Sequence, residues 1–198
     1  MNPPNTSREE IMRVSRKIVS EKGLPALNMR ALAKECGIAL GTLYNYYSDK
    51  DELVVAAIES VWQDILEKSA PDSGVRFSQY VTQTYAHIIE RLKDYPDFLA
   101  AHSISVAGSA KGKARGMMER CFGKIRGELH AALREDKNVD RSIFSETFRE
   151  EDLIEHILDT ITISIINGKP DCATLTEILD RLLSVSYTHL KLPTNSLV

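Results

Sequence analysis

The sequence predicts an all-α protein, and three observations support that fold class. Apolar residues recur at helical spacing in one segment after another, beginning with Ile11, Val14 and Ile18. Residues that cap helices precede several of these segments, as Ser7 does with Glu10 three residues later. Glycine and proline follow the segments, where they end helices, and no two segments show the alternation expected of partner strands.

Residues 28–50 predict two short helices joined by a tight turn, which is a helix-turn-helix. The side-chain oxygen of Asn28 can accept a hydrogen bond from the first turn of the first helix. Gly37 follows that helix at the place where a left-handed residue commonly ends one. The second helix is predicted over residues 39–47.

The second helix presents a face suited to the major groove of DNA. Leu43 is expected to face the core, with Tyr47 buried, Tyr44 partly buried and Tyr46 exposed. The side chains expected to point away from the core combine apolar contact with hydrogen bonding, which can read base edges; they are Leu40, Thr42, Asn45 and Tyr46. An ordinary pair of core helices is the alternative, because two short helices with a glycine turn are common in α-proteins.

Ser48 and Asp51 predict a capping box at the start of the next helix. Lys50 then lies in the first turn of that helix, where a lysine is unfavourable for the helix dipole. That placement indicates another role for Lys50, such as contact with a phosphate.

Two stretches carry a resemblance to a known family. They are Gly-Ile-Ala-Leu-Gly-Thr-Leu-Tyr-Asn-Tyr-Tyr-Ser-Asp-Lys-Asp-Glu-Leu at residues 37–53 and Arg-Lys-Ile-Val-Ser-Glu-Lys-Gly-Leu-Pro-Ala-Leu at residues 16–27. The first closely resembles the DNA-binding signature of TetR-family transcriptional regulators, and the second resembles that family's first helix and the link after it. The resemblance covers about the first 60 residues.

The resemblance implies which residues face double-stranded operator DNA. Arg30 would reach a base or a phosphate from the first helix of the motif, and Lys50 would bind a phosphate. The family often has Ser or Thr at the positions of Asn28 and Ala39 and Phe at that of Tyr47, and the missing hydroxyl at Ala39 removes one potential DNA contact. The predicted DNA-binding residues are Asn28, Arg30, Leu40, Gly41, Thr42, Tyr44, Asn45, Tyr46 and Lys50.

The charge distribution fits a head that touches phosphates. Residues 1–50 contain eight lysines and arginines against five acidic residues, a net charge of +3. The whole chain of 198 residues carries −3, so the remainder carries −6. A basic head on an acidic body is expected when one end binds DNA, although a few unevenly placed charges also arise by chance.

The rest of the chain predicts a helical body. Residues 160–165 alternate and are β-branched, which alone would indicate a strand. Ile157, Ile161 and Ile165 keep helical spacing over a longer window, so we interpret the segment as helix. The predicted body helices span residues 49–69, 77–92, 97–106, 113–135, 149–167 and 174–183.

The chain therefore divides into a three-helix head over residues 1–50, a body over residues 51–183 and a tail over residues 184–198. The tail contains Pro193 and no acidic residue. Its stretch Val-Ser-Tyr-Thr-His-Leu-Lys-Leu-Pro-Thr-Asn resembles translated sequencing-adapter sequence. We interpret the tail as non-native or disordered, with an ordinary frayed terminus as the alternative.

The family resemblance also implies that the body binds a small-molecule effector and forms a homodimer. Candidate pocket residues are Trp62, Tyr85, His102, Met117, Met118 and Phe122, although core packing is the simpler explanation for any one of them. The predicted dimer interface uses the surplus of Ile and Leu in the last two helices. Its residues are Leu153, Ile154, Ile157, Leu158, Ile161, Ile165, Leu175, Ile178, Leu179 and Leu182.

The remaining sequence features argue against other classes of protein. Cys36, Cys121 and Cys172 are odd in number and widely spaced, which predicts neither a metal site nor a disulfide framework. No apolar run reaches the ~18 residues of a membrane span and no secretory signal is evident, so we expect a cytoplasmic protein. No nucleophile elbow, phosphate-binding glycine loop or paired-carboxylate motif is present, so we expect no enzyme, metal or cofactor.

Three functional hypotheses remain. We favour a ligand-responsive dimeric transcriptional regulator, a repressor that a small molecule releases from operator DNA. The second is a constitutive or partner-controlled DNA-binding protein without a small-molecule site, and a closed apolar cavity in the body would argue against it. The third is an enzyme with a helix-turn-helix-like head, which convergent polar groups with shifted pKa values in a cleft would support.

Overall fold

The computed structural model describes residues 6–67, 74–100 and 111–184. Within these ranges the chain forms α-helices, the 3-10 helices Leu24–Ala26 and Arg141–Ile143 and isolated β-bridges, but no β-strand. This confirms the predicted all-α fold. The α-helices are α1 (Arg8–Lys22), α2 (Met29–Cys36), α3 (Leu40–Tyr44), α4 (Lys50–Leu66), α5 (Phe77–Leu92), α6 (Lys111–Glu135), α7 (Glu150–Ile166) and α8 (Ala173–Leu183).

Two predicted segments fall largely outside the described residues. Of the helix predicted at residues 97–106, residues 98–100 are described and helical, and residues 101–106 lie outside. Of the predicted tail, only Ser184 is described, and it forms a β-bridge with Val139. In the described part of the chain, no helix combines the length and the apolar character that crossing a membrane requires.

Local capping rules set the helix ends of the head. The hydroxyl of Ser7 accepts from the N–H of Glu10 at 3.1 Å and so caps α1, as predicted. The side-chain oxygen of Asn28 accepts from the N–H of Ala31 at 3.0 Å and caps α2. Gly37 ends α2 with a φ of 66°, in the left-handed region that favours glycine.

The start of α4 differs from the prediction. The predicted box at Ser48 and Asp51 is wrong, because the N-cap is Asp49, whose carboxylate accepts from the N–H of Glu52 at 2.7 Å. The Glu52 carboxylate in turn accepts from the N–H of Ser48 at 2.8 Å. The N-cap is therefore displaced by one residue, and Lys50 is the first residue of α4.

Helix α4 packs against both the head and the body. It contacts α1 of the head and α5 and α6 of the body. One continuous apolar core consequently runs through both parts. The predicted boundary between residues 50 and 51 falls within the first turn of this helix and stays a prediction. The buried apolar residues of α4 are Leu53, Ala57, Ile58, Val61, Trp62, Ile65 and Leu66.

Residues 160–165 are helical, so longer periodicity prevails over local β-propensity. Ile161 and Ile165 are buried, whereas Ile163 between them is 59% exposed, which a strand with one buried face would not give. The hydroxyls of Thr160 and Thr162 donate to carbonyls one turn earlier, at 2.8 and 2.7 Å. This back-bonding accommodates threonine within a helix.

The cap at Asp49 can be tested by its effect on stability. Asp49→Ala should lower the free energy of unfolding by about 0.5–2 kcal/mol, because the N–H of Glu52 loses its acceptor. Asp49→Asn is the matched control, and its free energy of unfolding should change little, since Asn caps helices about as well as Asp. Urea unfolding followed by circular dichroism measures both variants. A larger loss for Asp51→Ala than for Asp49→Ala would restore the cap predicted from the sequence.

Candidate nucleic-acid interface

Helix α3 is anchored from its inner face. Leu43 is fully buried, and Tyr47, just beyond the helix, is 2% exposed. The turn before α3 is closed by Gly37 and by Ile38, whose N–H donates to the carbonyl of Ala33 at 3.0 Å. Because α2 and α3 also contact each other, α3 is held in place on its inner side.

The outer face of α3 carries most of the residues predicted to meet DNA. Gly41, Tyr44 and Asn45 are exposed, and Leu40 and Thr42 are half-buried beside them. A Cβ added at Gly41 would meet no atom within 4 Å, so the fold itself does not require a glycine there. The glycine instead leaves the backbone of α3 open to close approach by another molecule.

Tyr44 and Tyr46 exchange the environments predicted for them. Tyr44, expected to be partly buried, is 49% exposed, whereas Tyr46, expected to be exposed, is half-buried. The hydroxyl of Tyr46 donates to the carbonyl of Thr6 in the segment before α1. The spacing failed for Tyr46 because its environment depends on this contact with a distant segment. Tyr47 is buried as predicted.

The side chain of Asn28 is occupied within the head. Its oxygen caps α2, and its amide nitrogen donates to the carbonyl of Ala26 at 3.2 Å. Both ends of the amide thus serve the link between α1 and α2. Any contribution of Asn28 to DNA binding passes through the position of α2.

Three cations near α3 have no acidic partner in the described part of the chain. Arg30 and Lys34 lie one turn apart on α2, Lys50 opens α4, and all three are exposed. Lys34 was not among the predicted DNA-binding residues, because only the placed helices reveal which cations are already paired. The other cations of the head are engaged, in Arg13–Glu10, Arg16–Asp64, Lys17–Glu21, Lys22–Glu35 and the bond from Arg8 to the Tyr46 carbonyl.

A cluster of polar side chains joins the head to the body at Asp64 of α4. From the head, the guanidinium of Arg16 donates to the Ser60 hydroxyl at 2.5 Å and lies 3.9 Å from the Asp64 carboxylate. From the body, Arg91 donates to the same carboxylate, and the Tyr95 hydroxyl donates to it at 2.8 Å. We refer to Asp64, Arg16, Ser60, Arg91 and Tyr95 as the Asp64 cluster.

The Asp64 cluster is only partly open to solvent. Tyr95 is buried, and the side chain of Asp64 is 23% exposed. Burial, reinforced by the hydrogen bond to Asp64 and its charge, raises the pKa of the Tyr95 hydroxyl, which therefore remains a donor at neutral pH. A further bond from the Ser20 hydroxyl to the Asp94 carbonyl, at 2.7 Å, ties α1 to the turn after α5.

Of the six residues predicted for a ligand pocket, three have side chains that the structure describes. Trp62 packs its ring edge against Phe98, with centroids 5.7 Å apart, and the Tyr85 hydroxyl donates to the carbonyl of Lys169 at 2.7 Å. Phe122 is half-buried. The other three candidates lie outside the described part of the chain, His102 entirely and Met117 and Met118 by their side chains.

Cavities bounded by described residues occur at three places in the body. One of about 390 Å³ lies beside the Asp64 cluster and is lined in part by Leu92, Tyr95, Phe98 and Ile166. Another of about 460 Å³ lies between α7 and α8, and a third of about 330 Å³ lies where α5 begins and α8 ends. All three have the size of small-molecule sites. Trp62, Tyr85 and Phe122 line none of them.

Most residues predicted for a dimer interface serve the core of the protomer. The two exceptions are Ile178 and Leu182, which are 54% and 38% exposed. Ile163 and Ile166 of α7 are also exposed, although helical spacing did not select them. We refer to these four as the exposed apolar set; the dimer itself stays a prediction. The buried members are Leu153, Ile154, Ile157, Leu158, Ile161, Ile165, Leu175 and Leu179.

The described residues bring together no metal-binding arrangement. Among them, no three His, Cys, Asp or Glu side chains are placed to hold a metal ion. Burial raises the pKa of the thiols of Cys36, Cys121 and Cys172, that of Cys121 to about 11. A thiol with a raised pKa stays protonated and is a weak nucleophile.

An all-helical chain with this head is a helix-turn-helix protein. Residues 11–57, which include all of α2 and α3, match the family model described as bacterial regulatory proteins, tetR family.

Relatives and a solved structure extend this match. The chain is 33% identical over 95 residues to an uncharacterized HTH-type transcriptional regulator of Haemophilus influenzae, covering 46% of this chain and 50% of the relative. It is 32% identical over 79 residues to the HTH-type transcriptional regulator UidR of Escherichia coli K12, covering 39% and 40%. The chain thus spans half or less of each of these relatives.

The crystal structure of the multidrug binding protein EbrR complexed with imidazole has the same fold, with a TM-score of 0.60 at 18% identity. That match covers 93% of this chain and 99% of EbrR. Over residues 11–57 the chain is thus similar to the tetR family of bacterial regulatory proteins, and its fold is shared with EbrR over nearly the whole chain.

The bond from Tyr95 to Asp64 can be tested by removing one hydroxyl. Tyr95→Phe should lower the free energy of unfolding by about 1–2 kcal/mol, because a largely buried carboxylate loses a donor. Tyr44→Phe removes the hydroxyl of an exposed tyrosine and is the matched control. Unfolding in guanidinium chloride at neutral pH measures both. Equal stability of the two variants would show that the bond contributes nothing.

Proposed function

We propose that this chain is a ligand-responsive dimeric transcriptional regulator that binds operator DNA through α3. The observation that supports this best is the outer face of α3, which is fixed from within by Leu43 and Tyr47. The three exposed cations Arg30, Lys34 and Lys50 carry no acidic partner in the described part of the chain. A rigid helix with free cations on the neighbouring helices can lie in the major groove while those cations meet phosphates.

The exposed side chains fall into two proposed roles. Thr42, Tyr44 and Asn45 offer hydrogen bonds and apolar contact to base edges and would carry sequence preference. Arg30 and Lys50 would neutralise phosphates, which adds affinity for any duplex and makes binding salt-dependent.

We propose that two copies bind one operator as a symmetric dimer. The support is the exposed apolar set on α7 and α8, since large exposed apolar side chains mark association surfaces. Pairing of these two helices with their mates would form a four-helix bundle. The dimer would hold the two α3 helices about 34–36 Å apart, one turn of B-DNA.

We further propose that a small molecule bound in the body releases the protein from DNA, so that the free protein acts as a repressor. The cavity of about 390 Å³ supports this, because Tyr95 both lines it and donates to Asp64. A ligand that moves Tyr95 would alter the cluster holding α1 on α4 and shift the population of head positions. Such coupling is typically about 1–3 kcal/mol and is reciprocal, so DNA must weaken ligand binding equally.

The fold neighbour EbrR is complexed with imidazole, so a protein of this fold accommodates a small ligand. A constitutive or partner-controlled DNA-binding protein is the second candidate. It is favoured by the contacts that Trp62 and Tyr85 make within the body, with Phe98 and the Lys169 carbonyl, as core residues would. A small-molecule panel screened by thermal shift, followed by titration of any hit with and without DNA, separates the two. Equal affinities in both titrations would favour the second candidate.

Loss of a phosphate contact should appear in the salt dependence of DNA binding. Lys50→Ala should weaken binding to every duplex and lower the salt slope by about 0.9. Lys17→Ala is the control, because Lys17 is exposed but pairs with Glu21, and its slope should match that of the unmodified protein. Fluorescence anisotropy over a salt series, on a duplex selected by the protein from a random pool, gives both slopes. An unchanged slope for Lys50→Ala would exclude the contact.

The proposed dimer depends on the exposed apolar set. Ile178→Asp should raise the dimer dissociation constant by about a hundredfold or more, because an unpaired charge would enter an apolar interface. Tyr44→Asp makes the same kind of change on the head and should stay dimeric while losing DNA binding. Sedimentation equilibrium gives the masses. A monomeric mass of the unmodified protein at micromolar concentration would refute the dimer.

A further inference from the structure

Arg8, at the start of α1, contacts the end of α3. Its guanidinium donates to the carbonyl of Tyr46 at 2.7 Å. The same guanidinium lies over the ring of Tyr47, 5.1 Å from the ring centroid, in cation–π geometry. One exposed arginine therefore engages two consecutive residues just beyond the recognition helix.

A second bond runs in the opposite direction between the same two segments. The hydroxyl of Tyr46 donates to the carbonyl of Thr6, two residues before Arg8. Residues 6–8 and residues 46–47 are thus joined by two hydrogen bonds and a cation–π contact. We refer to this set as the arm–helix clamp.

Helix α3 needs contacts of this kind because its own residues do not stabilise a helix in isolation. It has five residues, it contains Gly41, and its N-cap Ala39 provides no side-chain hydrogen bond. An isolated helix of this length does not form in water. The Arg8 guanidinium bonds to the carbonyl of Tyr46, two residues beyond the last residue of α3, and so holds the turn that follows the helix.

The buried anchors hold the inner side of α3, and the clamp holds the turn that follows it. Leu43 within the helix and Tyr47 beyond it are buried, and Leu40 packs against the same core. Loosening the turn after α3 would move Thr42 and Tyr44 relative to the bases. The clamp fixes the chain on the far side of Tyr47 and so sets the tilt of the outer face.

We infer that Arg8 is a positioning residue for α3: it contributes to DNA binding by fixing the recognition helix through Tyr46 and Tyr47, and not as a phosphate ligand. The inference rests on the proposed function of α3. It also assigns Tyr46 to the clamp, leaving Tyr44 as the exposed aromatic side chain at the DNA surface.

Salt dependence distinguishes positioning from phosphate contact. Arg8→Gln should lower affinity for a duplex selected from a random pool by about tenfold, with the salt slope unchanged. Tyr46→Phe removes no charge and should lower affinity in the same direction. The double variant should lose less than the two single losses combined, because both changes break one clamp. Arg13→Gln, with the same charge change one turn further along α1, is the control and should bind normally.

The opposite pattern would overturn the inference. If Arg8 binds a phosphate, Arg8→Gln will lower the salt slope by about 0.9, Arg8→Lys will restore both slope and affinity, and Tyr46→Phe will bind normally. Normal binding by Arg8→Gln would overturn it as well.

Hydrogen exchange provides a readout besides DNA binding. The amides of Tyr46 and Tyr47 donate to the Leu43 carbonyl, and their exchange should speed up in Arg8→Gln while α7 and α8 remain protected. Unchanged exchange at both amides would overturn the inference. If Arg8→Gln unfolds completely, the milder variant Tyr46→Phe tests the inference instead, by its DNA affinity and by the hydrogen exchange of the same amides. Failure of the unmodified protein to select any duplex would refute the proposed function itself, independently of Arg8.

Discussion

The structure depends on helix α4, because the head and the body pack on the same stretch of it. Its C-terminal half receives Arg16 from α1, His87 from α5 and Arg120 from α6. A helix of 17 residues is about 25 Å long and moves largely as one unit. A shift of the body against its C-terminal half is therefore carried to its first turn, where Lys50 lies and where α3 joins it through a short link.

In the proposed regulation, the Asp64 cluster would make this shared helix adjustable. One carboxylate accepts from Arg91 and Tyr95 of the body and lies near Arg16 of the head, while Arg91 also donates to Asp94 at 2.5 Å. Because Asp64 is partly exposed, its ion pairs add only modest stability. Their arrangement can change at small energetic cost, as a two-state switch requires. The cavity beside Tyr95 lies where a ligand could bias that change.

The sequence predicts those parts of the head that local rules determine. Ser7 and Gly37 follow capping patterns that span a few residues, and both behave as predicted. The environment predicted for Tyr46 was wrong because the Tyr46 hydroxyl donates to the carbonyl of Thr6, about 40 positions away. No local sequence pattern shows that contact. Lys34 was overlooked for a related reason: whether a cation is free depends on where the acidic residues of other segments lie. The cavities likewise arise from the spacing of helices, which composition does not encode.

In the proposed dimer, buried and exposed apolar residues of α7 would link the body to recognition by the head. Ile161 and Ile165 pack in the core, whereas Ile163 and Ile166 are exposed, and periodicity cannot separate these sets because both follow helical spacing. The exposed pair lies on the last turns of α7, where large apolar side chains can form an association surface. In the proposed dimer the partner covers this surface and brings another α3 to the same duplex. A five-residue helix contacts few base pairs, so specificity depends on two copies at a fixed spacing. Isoleucines that touch no DNA would then contribute to recognition through that spacing alone.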